Sequence, residues 1–186
     1  MSEAKVSQVK GSMLIGFVKA IKADTSGRLE TLLSDEAKAL VQERILAAAK
    51  WYPFEPYKSC FRAVCKVNAQ SNPEIMRLFG RKAGEETMTS IYRTVFNKST
   101  AEGAMDSFRV IGNTVYDSVT LHSEMLADNK IRISFHDFDP DFKEWYLVGL
   151  GWIERTLEMV IEKDVRSEII EKSWDGAPAT VFEMSW

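Results

Sequence analysis

Histidine and cysteine are both scarce, with two of each in 186 residues. Cys60 and Cys65 lie five apart, so on a helix they point about 140° away from each other. That spacing excludes a CxxC pair, and two cysteines make no disulfide framework. Each reads as a small buried apolar residue, and the cytoplasm is the expected compartment. Neither sign of charge dominates: 24 basic residues stand against 27 acidic ones. With no basic block, nucleic acid is not an expected partner. No apolar run is long enough to span a bilayer, and the opening MSEAKVSQVKGS lacks the apolar core of a signal peptide. There is no repeat, low-complexity tract or linker. Motifs for catalysis are missing too. No GxSxG or nucleophile-and-base pair occurs, and Gly149-x-Gly151 sits inside an apolar helix instead of following a strand. Close helix packing is the expected role of those glycines, and an enzyme is not expected.

Aromatics are abundant, with ten Phe, five Trp and five Tyr in a chain that is 45% hydrophobic. This supply is enough for a bulky core or an apolar pocket in one domain over residues 1–186. The first half carries helical periods. Met13, Phe17 and Ile21 are spaced for one helix, and Asp24 to Gly27 break it. Ser34 is placed to cap a second, running through Lys50. Pro53 and Pro56 break the chain again, and Tyr57, Cys60, Phe61 and Val64 form the next apolar face. Asn72-Pro73 begins a helix that Gly80 is expected to end. Met88, Ile91, Tyr92, Val95 and Phe96 predict another, and a short piece covers Ala104 to Ile111.

The second half changes period. Val119 and Leu121 alternate with polar residues, as do Ile131, Ile133 and Phe135, and Asp128-Asn129 between them predicts a hairpin. A long helix follows with Phe142, Trp145, Leu150, Ile153, Leu157 and Ile161. Strands over about Val165–Trp174 and Thr180–Trp186 close the chain, with Phe182, Met184 and Trp186 on one face. Helices first and antiparallel strands later predict an α+β fold, with the long helix between two strand pairs.

The stretch SFHDFDPDF, Ser134 to Phe142, gathers His136, Asp137, Asp139 and Asp141. Strand alternation turns His136 away from Asp137, which disfavours a compact metal site. The preferred reading is a helix start, with Asp139 as cap, Pro140 as first residue and Asp141 facing the helix dipole. His122 reads as a surface or rim residue. Arg77, Arg81 and Lys82 read as a solvated helix end, or as a receiver for an anionic group.

Three segments together resemble haem nitric oxide/oxygen-binding domains. They are VKGSMLIGFVKAIKA, EIMRLFGRKAGEETMTSIYRTVF, and GLGWIERTLEMV with the terminal TVFEMSW. That superfamily, the ligand-binding fold of nitric oxide signalling and Golgi transport, includes four-vinyl-reductase-type domains. Trp51-Tyr52-Pro53 is similar to a segment of bacterial relatives of unassigned function. The resemblance implies a helical half packed on an antiparallel sheet with a ligand pocket between, and sensing more than catalysis. Haem members use an axial His and a Tyr-x-Ser-x-Arg motif. Alignment of GAMDSFRV with the axial segment puts Arg109 at or beside the His position, where a guanidinium has no lone pair to give. Phe135, Asp137 and Asp139 fall at the three motif positions, and carboxylates there repel propionates.

The resulting expectation is a non-enzymatic, non-haem sensory domain without cofactor or metal. It binds a small apolar or amphipathic ligand and signals to a protein partner. Phe61, Leu78, Phe79, Tyr92, Phe108 and Trp145 are the expected pocket lining, and Arg109 would orient a polar end. The alternatives are a dimeric interaction module pairing through its C-terminal strand, and a haem-dependent gas sensor.

Overall fold

The computed structural model describes residues 7–89, 94–96 and 100–186. Strand β1 (Gln8–Lys10) leads directly into α1 (Gly11–Ala23), which buries Gly11, Leu14, Val18 and Ile21 along one stripe. Ser34 caps α2 (Asp35–Gln42), its hydroxyl accepting the Ala37 N–H at 3.2 Å. The helix stops at Gln42, not at Lys50 as the period predicts. The next residues serve another end. The first N–H groups of α1 lack partners within their own helix. Lys50 and Ala48 offer their carbonyls to the N–H groups of Gly11 and Ser12, both at 2.9 Å. The chain then pairs β2 (Trp51–Pro53) antiparallel with β1, and α3 (Phe54–Asn68) begins immediately after Pro53.

Pro73 starts α4 (Pro73–Thr89) as its sequence predicts, but Gly80 does not end it. A Cβ on Gly80 would stand 1.9 Å from the Val148 carbonyl oxygen, and one on Gly151 would stand 2.0 Å from that of Arg77. These two glycines let the backbones of α4 and α6 (Lys143–Ile161) touch. Gly149 meets only the Trp145 ring, at 3.9 Å, so Gly151 alone of that pair has the packing role. Met88 belongs to α4, whereas Ile91 and Tyr92 lie outside the described residues. The short piece expected at Ala104 to Ile111 is a full helix, α5 (Ala101–Val115), capped by the Thr100 hydroxyl on the Gly103 N–H.

The second half is a four-stranded antiparallel sheet in the order β3 (Thr120–Ala127), β4 (Lys130–His136), β6 (Thr180–Ser185), β5 (Arg166–Glu171). The hairpin turns at Asp128-Asn129. Its pleat sends Ile131, Ile133 and Phe135 inward beside Phe182 and Met184 on β6, all nearly inaccessible to solvent. Helix α6 lies between the strand pairs in the chain, giving the α+β architecture. Among the described residues no helix is long and apolar enough to cross a membrane.

Candidate functional site

Where the helical half meets α6 and the sheet, the interior is built from aromatic rings. Tyr57 comes from α3, Tyr116 from the residue after α5, Trp145 from α6, and Phe138 and Phe142 from the turn preceding α6. Neighbouring centroids include Phe138–Trp145 at 4.1 Å, Phe61–Phe142 at 5.0 Å and Tyr116–Phe138 at 5.4 Å. Most of these pairs meet edge to face, the arrangement that the ring quadrupoles favour.

One polar thread runs through this apolar space. The Trp145 Nε1–H donates to Tyr116 Oη at 2.7 Å, and Tyr116 Oη lies 3.0 Å from Tyr57 Oη. Burial pushes the Tyr116 phenol up to about 12 and that of Tyr57 well above its ordinary value. Both hydroxyls therefore keep their protons at neutral pH. The three groups carry three donor protons but make two mutual hydrogen bonds, so one phenol proton finds no acceptor among them.

The residues expected to line a pocket are dispersed. Phe61 and Trp145 join the ring cluster. Phe108 is buried elsewhere, against Trp152 at 5.0 Å and Phe96 at 5.5 Å. Phe79 is half-buried at the margin of the core. Leu78 faces solvent, 60% exposed. Arg109 also points outward, 3.1 Å from Asp106 on the same helix. Tyr92 lies outside the described residues. The sequence reading omitted from this site Tyr116, Phe138 and Phe54, whose ring lies 5.7 Å from that of Tyr57 and 5.8 Å from that of Phe142. Their signal was an aromatic cluster at element junctions, which periodicity within an element does not report.

Ion pairs seal the cluster on the α3 side. Lys58 is buried against the Asp139 carboxylate, and Arg62 reaches Glu144 at 3.1 Å and Asp141 at 3.3 Å. Burial raises the Asp141 carboxyl, but Lys58 and Arg62 outweigh it and hold the group below its ordinary value. This corrects the expected cap. Helix α6 begins at Lys143, because Asp139 turns inward to Lys58 while accepting the Asp141 N–H at 2.9 Å. No cluster of three metal-binding side chains forms there or elsewhere among the described residues. Two of the three basic residues near Gly80 are also engaged. Arg77 and Arg81 both bind Glu154, which is only 3% exposed and also accepts from the Ser167 hydroxyl at 2.7 Å. Arg81 meets Glu158 as well, at 2.8 Å.

No protein-family model matches the chain, and no curated protein is similar to it in sequence. Solved structures are similar in shape. An H-NOX protein from S. oneidensis in its Fe(II)NO state is 14% identical with a TM-score of 0.65, covering 95% of this chain and 98% of that one. A point mutant of the T. tengcongensis H-NOX protein is 17% identical with a TM-score of 0.61, covering 95% and 96%. A structure probing haem distortion in the H-NOX family is 18% identical with a TM-score of 0.62, covering 95% and 94%. The architecture is therefore that of the haem nitric oxide/oxygen-binding proteins. At such identities the likeness establishes the fold.

These neighbours correct the expectation of a domain without a cofactor, since the proteins that share the fold are haem proteins and point to haem as the group to test. Iron in haem is held by His, Cys thiolate, Met or Tyr. Both imidazoles lie on the face of the sheet opposite Ile133 and Phe135. Inside, Tyr57 and Tyr116 are protonated phenols, and burial pushes the Cys65 thiol up to about 12. Met105 on α5 is 1% exposed and offers a neutral thioether. The rings fill the space between the halves, so this packing does not fit a macrocycle without their displacement.

Proposed function

We propose that the chain is a sensory, ligand-binding module of the H-NOX type, with a diatomic gas as its input, at a haem that enters by displacing the interior rings, and a protein partner as its output. The observation that carries this reading is the H-NOX architecture over 95% of the chain. An effector role, not catalysis, accords with the sensors that share the fold. The chain's own residues support a coupling route. Tyr57 on α3 is joined through Tyr116 to Trp145 on α6, so a displacement of the helical half is felt by α6. A ligand drives such a shift only by favouring one packing over the other.

The test is haem titration of purified protein followed by absorption spectroscopy. A saturable Soret band that shifts with nitric oxide supports the reading. No band at equimolar haem overturns gas sensing. The ring-filled interior favours a second reading in that event, an interaction module acting as a homodimer, and light scattering of the same sample then measures subunit number.

A further inference from the structure

The outer face of the sheet carries both histidines of the chain side by side. His122 pairs in register with Ser134, and Thr120 with His136, so the two imidazoles stand on a diagonal of one four-residue patch. Their centroids are 5.2 Å apart and their planes cross at 76°. We propose that His122 and His136 form a site for a borderline divalent transition ion such as Zn2+ or Cu2+.

The spacing is the main argument. A metal–nitrogen bond of about 2.0–2.1 Å puts the ion roughly 3.2 Å from an imidazole centroid, and two such rings at a tetrahedral angle then lie about 5.2 Å apart. Neutral imidazole suits zinc and copper, and either ring nitrogen can serve after a half-turn of the ring. The surroundings tolerate the added charge. Arg132, next along β4, is bound by Glu124 at 3.1 Å and Glu183 at 2.6 Å, so two carboxylates compensate it. The Thr120 hydroxyl donates to the Asp137 carboxylate at 3.3 Å, which keeps an anion beside His136. With two protein ligands and water in the other positions, the site stays open, in contrast to a closed structural zinc site. His122 is exposed and His136 half-buried, so the ion reaches them from solvent.

The test uses the whole chain without a polyhistidine tag. Zn2+ and Cu2+ are titrated in separate experiments, by calorimetry and by competition with a chromogenic chelator. One equivalent is expected, with Cu2+ bound more tightly than Zn2+. His122→Ala and His136→Ala should each weaken binding by more than roughly 10-fold, the low end of the roughly 10–100-fold typical of losing a ligand's supporting hydrogen bond. Both positions lie on the solvent face, and far-ultraviolet circular dichroism verifies that each variant remains folded. Absence of saturable binding, or binding unchanged in both folded variants, overturns the site. The readout does not involve haem uptake, so this proposal and gas sensing fail separately.

Discussion

Two surfaces pack against α6 in opposite ways. Helix α4 meets it backbone to backbone, with Gly80 and Gly151 removing the side chains that would separate them. Helix α3 meets it through the tips of long side chains, Tyr57 by way of Tyr116 and Arg62 on Glu144. A backbone contact has no slack, because neither partner can turn aside. Contacts made by side-chain tips can be broken and remade by small rotations. The difference divides the molecule into a fixed joint at α4–α6 and a separable one at α3–α6, and the motion required by the proposed sensory function belongs at the second.

The strongest way to break this contrast is Gly80→Ala. The new methyl would stand 1.9 Å from a carbonyl oxygen, and overpacking of this kind costs typically 1–3 kcal/mol and occasionally more, so a loss of about 3 kcal/mol is expected. Urea unfolding should show a lower midpoint, and an unchanged midpoint would mean that the helices separate easily. Tyr116→Phe should have a smaller effect, about 1–3 kcal/mol, because it leaves the half-buried Trp145 N–H and the buried Tyr57 hydroxyl without their partner. Its effect on any ligand-driven change should exceed that of Gly80→Ala once both are scaled to stability. Equal effects would erase the distinction between the joints.

The smallest effect concerns acid. Burial raises the Glu158 carboxyl, but Arg81 and Arg155 outweigh it and hold the group below its ordinary value. A folded-state value below the unfolded one gives stability that is fully present above the unfolded value. It is lost as pH falls toward and through the folded one. Unfolding midpoints should therefore decline as pH drops from about 4.5, the ordinary carboxylate region. Glu158→Gln should flatten that decline slightly, and an identical slope in the variant would remove Glu158 from the α4–α6 ion network.

The fold was largely legible because its signals are local. Alternation in KIRISFH set the inward face of β4, and Asn72-Pro73 marked the start of α4. Gly80 misled because a glycine at a helix end and a glycine at a helix crossing look alike until the opposing chain is known. The extension of α2 to Lys50 failed for a similar reason, since distant N–H groups of α1 claim the carbonyls of Ala48 and Lys50. The site was less legible. Phe61 and Trp145, expected as pocket lining, lie among the packed rings, but Tyr116 sits at a helix end where no period identifies it. Arg109 was singled out by alignment, and the exposed side of α5 carries it away from the interior.

The indole proton of Trp145, a half-buried residue, is held on Tyr116, whose ring meets the indole edge to face. Such a proton trades with solvent deuterium when that hydrogen bond opens. Its exchange rate is thus a clock for the Tyr116–Trp145 contact through which α3 reaches α6. The Trp152 indole, bound to Thr87 on α4 at 2.9 Å, keeps time for the other joint in the same spectrum.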